Sequence, residues 1–295
     1  MRISMSQKIL ITGTNGAFGT MVVTKLLDAG HAVAASMRDI NGRNSDSAKT
    51  LRAAGVHVVE IDVADNASVE AGTNAAKSAL GGIDVLVNNA GTGAHGLHEA
   101  FSPEQLLKLY DVNVVGTHRM MRAVLPTLRA QKSGLVLNIS SLLGRLSIPF
   151  YGPYSATKFA LETLSETYRA ELSGFGVDVA LVEPGAFPTT FMDNVMHPND
   201  DARLAQYGAF ADAPAQSYAN SGAALKANPQ QDPQKVADAI VRIIDTPAGQ
   251  RSFRTIVDFM GLAEPASVLN STLDQVTGGV YAAFGIADMR VLKTN

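Results

Sequence analysis

Residues 8–19 of the chain read KILITGTNGAFG, and this stretch decides the fold class. It joins a short apolar run at 9–11 to a turn that has glycine at positions 13, 16 and 19. The segment that follows, at 20–28, has helical periodicity and stops at Gly30. An apolar run, a glycine-rich turn and a helix predict a β-strand that leads directly into an α-helix.

The same alternation continues along the chain. Longer segments with helical periodicity separate short β-branched runs, which lie at 8–12, 31–35, 57–62, 85–88, 135–140, 178–183 and 253–258. Ser102-Pro103 is a helix start that predicts one long helix as far as Ala130, and a second long helix is expected at 154–172. Strands that are apolar on both faces and spaced by helices indicate a parallel sheet with helices on each side.

The composition excludes several classes of protein. Of 295 residues, 46% are hydrophobic and 17% charged, which excludes a disordered chain, and a net charge of −3 argues against a nucleic-acid partner. The absence of cysteine excludes thiol nucleophiles, disulfides and zinc fingers. His95 and His98 lack nearby carboxylates in ligand spacing, so we predict no metal. No stretch approaches the ~20 apolar residues of a membrane span, so we expect no membrane partner and a cytoplasmic location.

The chain changes character after Gly185. Residues 198–233 are polar, alanine-rich and punctuated by Gly, Pro and Asn, which predicts a mobile insertion or lid. A helix is expected to resume at Asp232-Pro233, and residues 261–295 alternate apolar and small residues weakly. We predict a single domain over 7–295, with 187–232 as a substrate loop or lid and 261–295 as a C-terminal extension.

The glycine-rich turn has the chemistry of a phosphate site. Glycines let the backbone approach a pyrophosphate closely, and free N–H groups and the helix dipole stabilise its charge. The alternative is a turn that serves packing alone. Because the turn follows the first strand of an alternating pattern, we predict a dinucleotide site that includes Gly13, Thr14, Asn15, Gly16, Phe18 and Gly19.

The end of the second strand distinguishes the two nicotinamide dinucleotides. An acid there would bind a ribose 2′-hydroxyl, and a base would accommodate a 2′-phosphate. The sequence has Met37 where the acid would stand, followed by Arg38, which favours NADP(H). Asp39 lies close enough to keep NAD(H) open, with Arg38 then a solvated surface residue.

A tyrosine and a lysine stand one helical turn apart at Tyr154 and Lys158. A free tyrosine has a pKa of about 10. A cation about 4 Å from the phenol would stabilise the phenolate by about 4 kcal/mol and bring the pKa toward 7. The alternative is a solvent-facing pair. Tyr151 serves as a comparison, because four residues after it stands Ser155, which carries no charge.

Several motifs together resemble the short-chain dehydrogenase/reductase family, in its single-domain Tyr-x-x-x-Lys branch. They are residues 12–19, Asn88-Asn89-Ala90-Gly91, Asn113, Ser140-Ser141, 154–158 and Pro184-Gly185. The resemblance covers residues 7–190. It implies a three-layer, doubly wound Rossmann fold with a mostly parallel sheet of about seven strands. It also implies an NAD(P) cofactor and hydride transfer between the nicotinamide and a carbonyl or alcohol carbon.

The resemblance assigns the expected roles residue by residue. Tyr154 is similar to the general acid of reduction and base of oxidation. Ser141, rather than its neighbour Ser140, would orient the substrate oxygen, and Lys158 would hold the nicotinamide ribose and lower the pKa of Tyr154. Asn113 would kink its helix and seat a water.

Further cofactor contacts are implied in the same way. Asp62 and Val63 resemble the pair beside the adenine, and Asn89, Ala90 and Gly91 resemble the segment that lines the adenosine. The loop Pro184-Gly185 is followed by Thr189, which would bind the carboxamide, although the adjacent Thr190 competes for that role.

One departure from the family pattern affects the glycine turn. Single-domain members commonly have a glycine where this chain has Ala17, and it offers Gly16 instead. The resulting Gly-x-x-Gly-x-x-Gly spacing is similar to that of the epimerase-like branch. It keeps open an isomerase or dehydratase that uses its cofactor transiently. A non-catalytic dinucleotide-binding protein is the third alternative.

The expected substrate is hydrophobic, because the segments that should form its wall, at 93–97, 142–148 and 187–196, are mostly apolar. We therefore predict an NADP(H)-dependent carbonyl reductase or alcohol dehydrogenase. Relatives commonly assemble through their two long helices, so a homodimer or homotetramer is expected.

Overall fold

A computed structural model of the protein describes residues 6–294. Its centre is a seven-stranded sheet in the order β3-β2-β1-β4-β5-β6-β7, and each pairing is parallel. The strands are β1 (Lys8–Thr12), β2 (Ala32–Met37), β3 (His57–Glu60), β4 (Val85–Asn88), β5 (Gly134–Ile139), β6 (Val177–Pro184) and β7 (Arg254–Val257). The predicted parallel α/β sheet is confirmed, and the strand bounds differ from the predicted ones by at most two residues.

The helices within residues 6–294 are α1 (Ala17–Asp28), α2 (Ser45–Ala53), α3 (Asn66–Leu80), α4 (Pro103–Tyr110), α5 (Gly116–Gln131), α6 (Gly152–Ser173), α7 (Asp201–Gln206), α8 (Ala213–Ala227), α9 (Gln234–Asp245) and α10 (Ala263–Ala283). They cover the sheet on both faces. Apolar residues of α1, α2 and α9 pack on one face, and those of α3, α5 and α6 pack on the other. The three-layer Rossmann fold is therefore confirmed.

The strand order places the candidate site. The chain crosses over after β3, so β1 and β4 are neighbours and the connections after them run to opposite faces of the sheet. Ligands of open α/β sheets bind in the crevice beyond the carboxyl ends of the strands at such a switch point. The glycine turn, residues 89–91 and the turn after β5 all lie at this edge.

The predicted helix from Ser102-Pro103 begins as expected but is not continuous. Ser102 and Gln105 form a reciprocal capping box at the start of α4. A π-helical turn, Asp111–Val115, then separates α4 from α5. Such a turn inserts a residue into the helical repeat and commonly occurs at functional sites.

The C-terminal third is more helical than its composition suggested. The stretch 198–233, predicted as a polar lid, contains α7, a 3₁₀ turn (Gly208–Asp212) and α8. Residues 261–295, whose structure the weak pattern did not predict, contain the long helix α10. No helix of the part of the chain that the structure describes is both long and apolar enough to cross a membrane.

Candidate active site

The glycine turn after β1 is tightly packed at two of its glycines. Gly13 has φ +70°, and a Cβ there would lie 2.7 Å from the Cα of Ala90. A Cβ on Gly19 would lie 2.5 Å from the Gly13 carbonyl oxygen. At Gly16 the nearest atom to such a Cβ is the Gly13 carbonyl oxygen, at 3.5 Å. Gly13 and Gly19 are therefore required by packing, whereas a Cβ on Gly16 would make only an ordinary van der Waals contact.

The N-terminus of α1 fits an anionic group. The helix begins at Ala17, and within residues 6–294 no side chain caps the N–H groups that follow Gly16. Thr14 is turned away, because its hydroxyl donates to the Ser36 carbonyl at 3.1 Å. Free N–H groups at the positive end of a helix dipole are the donors that a pyrophosphate requires. The residues present thus fit the dinucleotide that the turn predicts.

Two further residues of the turn bind neighbouring segments. The amide of Asn15 donates to the Asn44 side chain at 3.2 Å. The ring of Phe18 packs edge-on against Phe187, with centroids 6.0 Å apart. The turn therefore contacts both the loop after β2 and the segment after β6.

At the end of β2, Arg38 and Asp39 have different surroundings. The Arg38 guanidinium is half exposed, at 52%, and lies 3.7 Å from the Asp62 carboxylate. The Asp39 carboxylate is turned back into its own loop, where it accepts from the Arg43 backbone N–H at 3.0 Å. The Asp62 carboxylate also accepts from the backbone N–H of Ala64 at 3.0 Å. A cation therefore lies over the predicted adenosine side.

The segment after β4 is bonded to the glycine turn. The Asn89 amide donates to the carbonyls of Thr12 and Gly13 at 2.9 and 3.0 Å. The Ala90 backbone N–H donates to the Thr12 hydroxyl at 3.0 Å. A Cβ on Gly91 would lie 3.3 Å from the Asn113 amide oxygen. On the other side of the crevice, Val63 packs against the start of α5 at Gly116.

Tyr154 and Ser141 meet at the carboxyl edge of the sheet, where burial raises the pKa of Tyr154 and the proximity of the Ser141 hydroxyl lowers it. The Ser141 hydroxyl accepts from the Leu143 N–H at 3.1 Å, and it lies 3.5 Å from the Pro184 carbonyl oxygen, to which it donates. The neighbouring Ser140 hydroxyl is buried and finds no hydrogen-bond partner among the described residues. The structure therefore brings Ser141, and not Ser140, to the tyrosine.

Lys158 is buried beneath the tyrosine. Its ammonium donates to the Ile139 carbonyl at 2.8 Å and lies 5.6 Å from the centroid of the Tyr154 ring. Burial lowers the pKa of Lys158 to about 8, against the opposing charge of Glu162.

The structure does not show the expected lowering of the Tyr154 pKa. Burial raises the pKa of Tyr154 to about 12, and the Ser141 hydroxyl opposes the rise. The expectation assumed a cation about 4 Å from the phenol oxygen. Lys158 instead binds a carbonyl beneath the ring, and burial of the phenol outweighs its charge.

Asn113 lies in the π-helical turn between α4 and α5, where the resemblance implies a kink. Its side chain is fully engaged: the amide oxygen accepts from the Thr92 N–H at 2.8 Å, and the amide nitrogen donates to the Thr92 carbonyl at 2.8 Å and the Thr157 hydroxyl at 3.0 Å. Thr92 and Thr157 are partners that sequence reasoning missed, although Thr157 stands within the motif 154–158. Asn113 thereby fixes the loop after β4 to α6.

The loop after β6 closes the same edge. Gly185 follows Pro184 directly, and its backbone N–H donates to the Val257 carbonyl at 2.9 Å. The Thr189 hydroxyl accepts from the Phe191 N–H at 3.3 Å. The Thr190 carbonyl accepts from the Asn194 side chain at 3.1 Å. Thr189 therefore lies in the turn that leads to Phe191, whose ring centroid is 5.9 Å from that of Tyr154.

Aromatic side chains form the outer wall of the crevice. The His95 ring lies 4.7 Å from the Tyr151 ring and 6.0 Å from that of Tyr218 on α8. Burial, and then the charge of His197, lowers the pKa of His95. Segments 93–97 and 187–196 meet here, where the His95 N–H donates to the Met196 carbonyl at 3.0 Å. No group of three or more His, Asp or Glu among residues 6–294 is placed to hold a metal ion.

Comparison with known proteins finds the same family. The model of the short chain dehydrogenase family matches residues 7–200. An uncharacterized oxidoreductase of Bacillus subtilis (strain 168) is 32% identical over 252 residues, which are 81% of this chain and 85% of the relative. The 17-beta-hydroxysteroid dehydrogenase type 1 of Homo sapiens is 37% identical over 195 residues, but these are 64% of this chain and 59% of that enzyme.

A solved structure extends the similarity over nearly the whole chain. The short-chain dehydrogenase from Streptomyces avermitilis superposes with a TM-score of 0.74 at 29% identity, covering 96% of this chain and 98% of the other. The likeness therefore includes the helices of the C-terminal third.

Proposed function

Because this chain belongs to the short-chain dehydrogenase/reductase family, whose members are oxidoreductases that act on CH–OH groups, we propose that it is an NADP(H)-dependent carbonyl reductase or alcohol dehydrogenase with a hydrophobic substrate. The observation that supports the proposal is the convergence of Ser141, Tyr154 and Lys158 beside the glycine turn. A phenol, a hydroxyl and a buried ammonium at one edge of the sheet are the groups needed to bind and protonate a carbonyl oxygen.

The proposed cofactor lies across the switch point. The N–H groups at the start of α1 would hold its pyrophosphate, with Gly13 and Gly19 providing the close approach. Asp62, Val63 and residues 89–91 would line the adenosine, and Lys158 would bind the nicotinamide ribose. Pro184, Gly185 and Thr189 would hold the carboxamide. When bound, the nicotinamide supplies or accepts the hydride.

NADP(H) is favoured over NAD(H) because of the charges at the end of β2. Arg38 offers a half-exposed guanidinium, which pairs well with a phosphate. The Asp39 carboxylate already accepts from its own loop, so it is poorly placed to accept from a ribose hydroxyl.

Tyr154 would provide the proton. With a pKa of about 12 its phenol is protonated at neutral pH, so it can donate to a developing alkoxide in the direction of reduction. Ser141 would donate to the same oxygen and fix its position. In oxidation Tyr154 must first lose its proton so that it can accept one from the alcohol, and the nearby positive charge of Lys158 stabilises the phenolate that this requires.

Lys158 gives the reaction a pH dependence with a definite sign. The pKa of about 8 means that the ammonium is charged below pH 8 and loses its proton above it. A neutral amine binds ribose hydroxyls with fewer donors and no longer stabilises a phenolate. Reduction should therefore slow as the pH rises through this range, by about tenfold per pH unit at the alkaline limit.

The substrate is proposed to be a hydrophobic ketone, aldehyde or secondary alcohol. The wall around Tyr154 is aromatic, including Phe191 with its ring centroid at 5.9 Å, and His95, Tyr151 and Tyr218 beyond it. The name of the hydroxysteroid dehydrogenase relative indicates an apolar polycyclic alcohol for that enzyme. The segment 187–232 would then act as a substrate lid on a single domain over 7–295, with 261–295 as an extension.

Assembly as a homodimer or homotetramer through the helices around 103–131 and α6 is part of the proposal. Leu107 and Phe159 are large apolar residues exposed on these helices. A cytoplasmic location stays a prediction.

The test is a panel of carbonyls and alcohols, scored by nicotinamide absorbance with NADPH and NADH side by side at several pH values. We expect carbonyl-dependent consumption of NADPH, faster than with NADH and slower above pH 8. Turnover of substrate without a net change in absorbance would instead indicate an isomerase or dehydratase. Cofactor binding without any turnover would indicate a dinucleotide-binding protein.

A further inference from the structure

A cluster of charged side chains is buried behind the candidate active site. Arg254 on β7 is 8% exposed, Glu162 on α6 is 1% and Glu183 on β6 is 0%. The Arg254 Nε lies 2.9 Å from a Glu162 carboxylate oxygen and 3.4 Å from one of Glu183. Its terminal nitrogen lies 3.1 Å from Glu166, one turn further along α6. One cation therefore joins three carboxylates from two elements of the fold.

The cluster continues into the C-terminal helix. The Asn270 amide on α10 donates to Glu183 at 2.7 Å and accepts from the Arg145 Nε at 2.7 Å. Arg145 directly follows the 3₁₀ turn Leu142–Gly144, which Ser141 caps. The cluster thus reaches the loop that carries the proposed substrate-binding serine.

Two carboxylates of the cluster, Glu162 and Glu183, lie next to residues of the proposed chemistry. Glu162 is one helical turn after Lys158 on α6. Glu183 directly precedes Pro184, whose carbonyl accepts from the Ser141 hydroxyl at 3.5 Å. A Cβ on Gly144 would lie 3.1 Å from the Glu162 Cγ, so the turn after Ser141 packs directly on the cluster.

Removing the cation would leave the carboxylates to repel each other. Burial and the charge of Glu162 raise the pKa of Glu183 to about 7, and Arg254 is among the groups that oppose the rise. Breaking a buried ion pair by removing one partner leaves an uncompensated charge, which then takes up a proton or moves toward solvent. Either response would displace α6 near Lys158 or the end of β6 near Ser141.

We propose that Arg254 is a positioning residue for the active site: by binding Glu162 and Glu183 together it fixes the Lys158 helix and the Ser141 loop relative to each other. This inference rests on the proposed function. Arg254 touches none of the reacting groups, and the N–H groups of α1 that would hold the pyrophosphate lie outside the cluster, so its effect should fall mainly on the rate of the chemical step rather than on cofactor binding.

Arg251, a second buried arginine that also pairs with an acidic residue of β6, provides a matched control. Asp178, at the start of β6, lies 3.5 Å from Arg251 and 3.1 Å from Arg169. Asp178 and Glu183 lie near opposite ends of β6, so the ion pairs of Asp178 are at the end of the strand away from Glu183. Arg251→Met therefore removes a buried ion pair as Arg254→Met does, but far from Ser141 and Lys158.

The experiment compares both variants, together with Arg254→Lys, by steady-state kinetics, NADPH binding and crystal structures. For Arg254→Met we expect kcat to fall about tenfold or more, because small displacements of catalytic groups have large effects, while the Kd for NADPH stays within about twofold. Arg254→Lys should recover part of kcat. Arg251→Met should lower the melting temperature and leave kcat within about twofold. The Arg254→Met crystal structure should have Ser141 displaced from the Pro184 carbonyl.

Unchanged geometry at Ser141 and Lys158 in that crystal structure would overturn the proposal, as would a kcat equal to that of Arg251→Met. If Arg254→Met fails to fold, Asn270→Ala tests the same connection from α10. We expect this variant to lose less of its kcat than Arg254→Met, and an unaltered kcat would contradict the proposal. The structural readout needs no turnover. A wild-type protein inactive on the whole panel would therefore count against the proposed function, whereas an active wild type with an undiminished Arg254→Met would count against positioning alone.

Discussion

The part of the molecule before Gly185 and the part after it hold their side chains in different ways. In the first, buried hydrogen bonds to the backbone fix the residues at the crevice, as Asn113 does with Thr92 and Thr12 does with Ala90. In the second, α7 and α8 make mainly aromatic or exposed contacts, whereas α9 and the Arg254 cluster are buried. Arg203 and Tyr207 bind Glu99 at the surface, and in the described chain Pro214 is the buried residue of α8 and Ala266 that of α10.

This difference indicates that the two parts of the molecule have different roles. A buried polar group that loses its partner costs about 1–3 kcal/mol, so the first part tolerates little change in position. Exposed pairs contribute about 1 kcal/mol or less, so α7 and α8 can be remodelled at small cost to the fold. We infer that the first part, together with the Arg254 cluster, determines the reaction, and that α7 and α8 determine which substrate reaches it.

The largest effect that would test this division is expected at Tyr154. Tyr154→Phe removes the proposed proton donor and should lower kcat about a thousandfold, with NADPH affinity nearly unchanged. Steady-state kinetics and NADPH titration measure the two quantities. Tyr168→Phe, on the same helix and bonded to His118, is the control and should keep full activity. Substantial residual turnover in Tyr154→Phe would exclude the proposed mechanism.

The next effect is expected at the adenosine end of the crevice. Arg38→Asp replaces a cation with an anion and should lower the preference for NADPH over NADH about 10- to 100-fold, because a charge-assisted phosphate contact is lost and repulsion is added. The ratio of kcat/KM for the two cofactors reports the change. Arg52→Asp, at the end of α2, is a control of equal charge. If the ratio is the same in both variants, the 2′-phosphate is held elsewhere.

Much of the first part could be predicted from the sequence, because the signals are local. Apolar runs gave each strand to within one or two residues, and a capping serine with a proline gave the start of α4. The break at Asn113 could not be found in this way, since hydrophobic periodicity does not register one inserted residue. The pKa of Tyr154 could not be predicted either, because spacing along a helix shows that Lys158 is on the same face but gives neither the partner of its ammonium nor the burial of the phenol.

The second part was predicted less well for a different reason. Gly, Pro and Asn between 198 and 233 suggested a mobile insertion or lid and gave no helix bounds, whereas the alanine content of α8 favours helix. Glu183 and Arg254 were missed because they belong to strands far apart in the sequence. The available signal was the pair of acidic residues, Asp178 and Glu183, in the otherwise apolar strand β6, because a charge on a buried strand requires a partner.

The smallest effect is expected in the second part and tests whether its contacts concern the substrate. Tyr218→Ala removes the α8 ring that lies against His95, and loss of one aromatic contact should raise KM for a hydrophobic substrate about five- to tenfold. The Kd for NADPH and kcat should change little, because Tyr218 is remote from the glycine turn. Phe284, at the C-terminal end of α10, is 76% exposed. Phe284→Ala removes a ring of similar size away from the crevice and should leave all three constants unaltered. Equal losses of substrate and cofactor affinity in Tyr218→Ala would mean that α8 supports the fold, and the division between a part for the reaction and a part for the substrate would then fail.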